Sequence, residues 1–313
     1  MKKILRILFN FFEKEQHLIG ASIVRVGLGS IVTIFYLLHI FQKDYYWGPN
    51  GVYPHAEFIS DITQANSFSL YQLSVSNVYF NILFYSGIVI ALLFTLGVHT
   101  RITGVLNFIF VWSLYERNPF VLDGGNNILI ICLFFLMFAN VGAYFTLFKT
   151  KRNKNRYIAA LHNTSIIACI IQVAILYSFS GIFKAQGDMW FNGVALYYIL
   201  QVSEFTLPGI AEYIYSNPIM LTIGTYSTVI FQIAFPFLIL NKTTKWVMIS
   251  ILVMFHLGIA IVMGLVSFGL TMICLDLLLF NDKFYKRNYF RYRKFRRKIT
   301  NKKNDKTILD KAS

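Results

Sequence analysis

The sequence predicts an all-α fold, a polytopic membrane bundle of about eight transmembrane helices with a re-entrant or interfacial segment near residues 187–200. Three observations carry that expectation. Apolar residues make up 56% of the 313 positions and charged residues 14%, whereas a soluble domain is about one-quarter charged. The apolar residues gather into eight runs close to the roughly 20 residues a helix needs to cross a hydrocarbon core. Connectors between runs are alternately rich and poor in Lys and Arg, as the positive-inside rule requires.

Segment 1–17 opens with MKKILRILFNFFEKEQ, basic and amphipathic, with no small-residue cleavage site after a compact apolar core. It reads as a retained cytoplasmic interfacial helix. The apolar runs follow at about 20–41, 78–98, 101–116, 126–148, 161–183, 219–240, 244–263 and 265–281, making residues 18–281 one transmembrane domain. The third run and the last pair are short, so seven or nine crossings stay open beside eight. With eight, Lys2, Lys3, Arg6, Lys14, Arg101, the KTKRNKNR connector, Lys242, Lys245 and the tail 282–313 share one side. The other side keeps only Lys43, Arg117 and Lys184. Both termini are therefore expected in the cytoplasm and the lipid bilayer is the first partner. Of the 29 basic residues, 13 lie between Lys283 and Lys311. Beside a membrane run, such a tail binds anionic lipid at about 1 kcal/mol per basic residue, so the net charge of +15 argues for a membrane surface and against nucleic acid.

Cys132, Cys169 and Cys274 each fall inside an apolar run, with no CxxC pair and no His-Cys cluster. They are expected as packed thiols, with no disulfide and no metal site. Three connectors face outward. The first, about 42–77, contains YYWGPNGVYPHAEF, whose Gly-Pro and Asn-Gly pairs mark turns and whose Tyr45, Tyr46, Trp47 and Tyr53 suit an interface. The second, YERNPFVLDGGNN, places Arg117 and Asp123 close enough to pair over a turn at Gly124-Gly125. The third runs from Lys184 to Pro218, and Trp190–Leu200 within it is apolar enough to dip into the bilayer.

Charges inside runs are rare and are either paired or solvated. Arg25, a turn into the first run, is expected to snorkel to the headgroups. Asp276, near the inner end of the last run, is expected to be wetted there. His256 sits deep in a run, as a structural donor or a functional group. Lys184 has two readings of equal weight. It is a helix-end anchor, or a lysine held under the apolar Trp190–Leu200 segment, where partial desolvation frees the neutral amine to act as a base.

The pattern Tyr177-xxx-Gly181-xx-Lys184 followed by Trp190-xx-Gly193 resembles the signature of the HTTM (horizontally transferred transmembrane) domain family, related to the vitamin K-dependent gamma-glutamyl carboxylase. GPNGVYP, the paired runs joined by the Arg-Asn…Asp-Gly-Gly connector, and HLGIAIVMGLVSFGLTMI match in order. Within that family the chain looks most like the sporulation-delaying protein B (SdpB) group. That resemblance implies a bacterial plasma-membrane protein that matures a secreted antimicrobial peptide toxin, acting on its precursor beside a small SdpA-like companion protein. It further implies that Lys184 stands where the family's catalytic base deprotonates a reduced quinone, with the Arg117–Asp123 connector and His256 lining the same outward cavity. The working site is accordingly expected around Lys184, Asp188 and Trp190, with Arg117, Asp123 and His256 nearby. The carboxylase carries a large extramembrane domain after its helices; here a short basic tail follows instead. A non-catalytic scaffold for precursor processing or export, and a transporter or immunity protein, are the alternatives.

Overall fold

In a computed structural model, residues 11–148, 155–202, 206–207 and 209–294 are described, and they contain helices and turns but no strand. The basic connector 149–154, most of segment 1–17 and the end of the basic tail lie outside the described residues. Eight helices lie along the apolar runs: α1 (Leu18–Leu38), α2 (Asn77–Leu96), α3 (Thr100–Arg117), α4 (Gly124–Leu136), α5 (Arg156–Ala185), α6 (Pro218–Leu238), α7 (Lys242–Val262) and α8 (Val266–Asp276), and a further helical stretch covers 282–294.

Eight helices thus stand where eight crossings were expected, yet among the described residues only α1, α2, α5, α6 and α7 are long and apolar enough to span. The shortfall has local causes. α3 carries Arg101, Asn107, Glu116 and Arg117 among its apolar residues. The fourth run was expected to stay helical to 148, but α4 stops at Leu136. Beyond it Asn140 is drawn aside: its backbone N–H donates to His162 Nδ1 at 3.0 Å, and its amide donates to the Glu15 carboxylate at 3.0 Å. α8 is short and central, packing against α1, α4, α5 and α7 and passing into a tighter turn at Leu277–Leu279.

α5 shows how the sequence separates lipid-facing from buried surface. Ile167, Ile171, Ile175, Phe179 and Phe183 recur every fourth residue and are all exposed. Ile166, Cys169, Val173, Tyr177 and Gly181 occupy the opposite face and are buried. Both faces are apolar, as expected of a helix with lipid on one side and protein on the other. In lipid, packing rather than water exclusion drives helices together, so small residues sit where backbones approach. Gly181 is such a place, since a Cβ there would lie 2.9 Å from the Ile233 backbone nitrogen on α6. Gly181→Leu is therefore expected to lower the amount of folded protein about tenfold, the scale of overpacking. Fluorescence-detected size exclusion would measure it, with Phe183→Leu on the exposed stripe unchanged.

Arg25 does not snorkel. It is fully buried, and its guanidinium donates to the Phe145 carbonyl, tying the turns that follow α4 onto α1. A protein carbonyl within reach removes the need to find the headgroups.

The helix ends sort into two groups. The start of α1 meets the residues after α8, where Leu18 and Ile19 N–H groups donate to the Asp282 carboxylate at 3.2 and 2.8 Å. At the other end the 42–77 connector folds onto α3. Trp47 is fully buried there, and Ser69 Oγ donates to the Ser113 carbonyl at 2.8 Å.

Candidate functional site

Helical spacing sets out one wall of a cavity. On α5, Tyr177, Ser180 and Lys184 stand at i, i+3 and i+7 and share a face. Gly181 on the next face lets α6 close in with Thr228 and Gln232, and α7 brings His256. Pro236 inside α6 has no N–H to offer the Gln232 carbonyl four residues earlier, so the helical ladder is interrupted beside the cavity.

The 187–200 segment closes the end. Two short helices, Asp188–Phe191 and Ala195–Ile199, turn back and pack against α6. Gly193 makes the turn with φ of 73°, and the Tyr226 ring lies 3.1 Å from where a Cβ would sit, so a side chain is excluded on both counts. Tyr226 donates its hydroxyl proton to the Phe191 carbonyl at 2.7 Å. Leu196, Ile199 and Leu200 then face inward, enclosing about 380 Å³ between α5, α6, α7 and the first turn of α8.

Lys184 lies at this cavity half-buried. Its Nζ donates to Ser180 Oγ at 2.5 Å and sits 5.3 Å from the centre of the Trp190 ring. Among the described residues no carboxylate pairs with it, the one ion pair there being Lys43–Asp44. Deeper in the wall, the Tyr177 hydroxyl oxygen is 2.7 Å from His256 Nε2 and 3.4 Å from Asp276 Oδ2. All three side chains are buried, Asp276 completely. The expectation that headgroups wet Asp276 is corrected: α8 is surrounded by four helices, so its acid meets a tyrosine instead of water.

The remaining expected site residues lie elsewhere. Arg117 and Asp123 do not pair. Arg117 is buried and donates to the Gly48 and Tyr53 carbonyls at 2.7 and 2.9 Å, with its guanidinium over the Tyr53 and Phe58 rings. Asp123 caps α4, accepting from the Gly125 and Asn126 N–H groups at 2.7 and 3.0 Å in a capping box with Asn126. Each thus has closer backbone partners than the other, and neither lines the cavity. Asp188 is exposed in the first turn of its short helix, outside the lining. Beside Arg117, burial and the hydrogen bond to Asp61 push the Tyr53 hydroxyl up to about 12, so it stays a donor.

The sequence reading thus brought Lys184, Trp190 and His256 to one cavity without finding what links them. The missed partners are Ser180, Gln232 and the Tyr177–Asp276 contact. The available signal was an acid inside the last apolar run and a tyrosine two turns before Lys184.

Two proteins of Bacillus subtilis (strain 168) are similar to this chain. One is the uncharacterized protein YitO, 28% identical over 193 residues, or 59% of this chain and 62% of the relative. The other is the sporulation-delaying protein SdpB, 27% identical over 210 residues, or 62% of each. In both cases the match spans less than two-thirds of the relative's length. No solved structure matches. The family model for the HTTM domain matches residues 51–284, which include the cavity and every helix from α2 to α8. By that match, and with its apolar helices, the chain is a membrane protein belonging to the HTTM domain family.

Proposed function

We propose that this HTTM protein acts in the plasma membrane of a bacterium, where it matures a secreted antimicrobial peptide of the sporulation-delaying kind. The cavity between α5, α6 and α7 is its working site. The observation that carries the chemical part is Lys184, a cation with no carboxylate partner among the described residues, at a mostly apolar cavity. Such an amine loses little by giving up its proton, because no anion among those residues holds it in the charged form. Lys184 then serves as base, Ser180 orients it, and Trp190 keeps the returning segment over it. The biological setting rests on the similarity to SdpB. The peptide precursor, a small companion protein of the SdpA kind and a cytoplasmic position for both termini belong to the same proposal.

A reduced quinone suits this lining in outline. Its ring needs apolar walls, and its oxygens need polar partners such as Ser180, Lys184 and Gln232, whose Oε1 is buried with no partner. Bound there, it would supply an acidic hydroxyl and a redox-active ring.

Mass spectrometry of the peptide from cells with and without this protein tests the proposal. The expected result is a secreted peptide of altered mass and no activity when the protein is missing. Retained peptide of unchanged mass points to export, and killing of the producing cell points to immunity.

A further inference from the structure

The Tyr177–His256–Asp276 contact is more than the cavity wall needs. A buried tyrosine requires one partner for its hydroxyl, and here it has two ionisable ones on different helices, His256 on α7 and Asp276 on α8. His256 lines the cavity, and its Nδ1 is a buried atom with no hydrogen-bond partner among the described residues. Asp276 does not line the cavity, and its Oδ1 likewise lacks a partner there. Ionisable groups inside a membrane domain are costly and mark proton or ligand pathways. A carboxyl placed behind a histidine fixes which ring nitrogen carries the proton. A tyrosine hydroxyl between them, able to donate to one neighbour and accept from the other, transmits that control.

We propose that His256, Tyr177 and Asp276 form a proton relay in which His256 Nδ1 exchanges a proton with whatever the cavity binds and the Asp276 carboxyl takes the proton at the far end. The inference rests on the cavity being the working site. In the proton-accepting state Tyr177 donates to the ionised Asp276 carboxylate and His256 Nε2–H donates to the Tyr177 oxygen, so Nδ1 is a free acceptor. When a ligand X–H gives its proton to Nδ1, the X–H bond breaks, its electron pair stays on X, and an N–H bond forms. The Nε2 proton passes to the Tyr177 oxygen and the former Tyr177 proton passes to Asp276. The histidine and the tyrosine end neutral. One negative charge has moved from Asp276 to the ligand, inside a cavity whose lining includes Lys184.

The surrounding groups leave the relay to itself. Lys184 lies across the cavity, held by Ser180 and Trp190. Cys132 and Cys169 meet each other between α4 and α5, Cys274 packs at Gly27 of α1, and Arg25 of α1 turns to Phe145. Tyr226 of α6 is engaged by Phe191. Tyr177 lines the cavity beside His256 and Asp276 lies behind them; both act on the ligand through His256 and are positioning residues.

The test uses the full chain in lipid nanodiscs with histidine labelled at Cε1, its His256 resonance assigned with His256→Gln. Asp276→Asn and Tyr177→Phe keep shape and remove only the acid or the hydroxyl. Each is expected to change the proton affinity of His256 about tenfold or more, and infrared spectra should show an Asp276 carboxyl band that His256→Gln displaces. An unchanged His256 titration in both variants, with both folded, overturns the relay. Asp276→Glu should restore part of the coupling, which a purely structural role would not require. Because these readouts need no peptide, a coupled His256 titration in a protein whose removal leaves the peptide's mass and activity unchanged would sink the proposed function and leave the relay standing.

Discussion

Lys184→Ala is expected to abolish active peptide while leaving the amount and thermal stability of the membrane protein unchanged. A positioned acid or base contributes about 10²–10⁴-fold to a rate, so peptide activity should fall at least 100-fold by that scale in a killing-zone assay. Stability should hold because Lys184 is only half-buried and its contacts, Ser180 one turn below and the Trp190 ring, can each re-form with water or lipid. Lys184→Arg separates two roles. Guanidinium remains protonated at any physiological pH, so a base fails with arginine, whereas a fixed positive charge works with it. Full activity in Lys184→Arg would therefore make the residue an electrostatic partner for an anion, and full activity in Lys184→Ala would remove it from the chemistry.

How much of this was legible in the sequence depends on the length scale of the forces involved. Helix positions were legible because apolar runs of known length can only be helices in lipid, and all eight long helices begin within about five residues of a predicted run. The failures came where a side chain found a partner remote in sequence. α4 ends early because Asn140 meets Glu15 and His162, 125 and 22 positions away. Arg25 stays buried because Phe145, 120 residues later, offers a carbonyl. Asp276 is dry because α8 became the centre of the bundle, a fact of tertiary packing that an 11-residue helix does not announce. Lys184 and His256 could be singled out one at a time from their placement in apolar runs. Their common cavity depended on Gly181, Gly193 and Tyr226 bringing α6 and the 187–200 segment into contact, and no local pattern encodes that meeting.

Arg117 provides the contrast to Lys184. It was grouped with the cavity by resemblance, and its surroundings instead make it the tie between α3 and the 42–77 connector. Its guanidinium supplies donors to two buried carbonyls, Gly48 and Tyr53, and the Asn118 amide beside it donates to the Tyr46 carbonyl at 2.7 Å. Arg117→Met keeps the packed length of the side chain and removes both donors. Each buried carbonyl left without a partner costs about 1–3 kcal/mol, so a loss of roughly 2–6 kcal/mol is expected from the two by the same scale. Thermal unfolding of the purified protein should show a large fall in Tm, with peptide activity declining only in proportion to the surviving folded protein. Asp123→Ala, which removes the cap of α4 and touches nothing in the cavity, should cost about 1 kcal/mol and follow the same proportionality. Lys184→Ala should break it, losing activity at constant Tm. If Arg117→Met kept its Tm and lost activity outright, Arg117 would belong with the chemistry after all, because a tie cannot be cut without loosening what it holds.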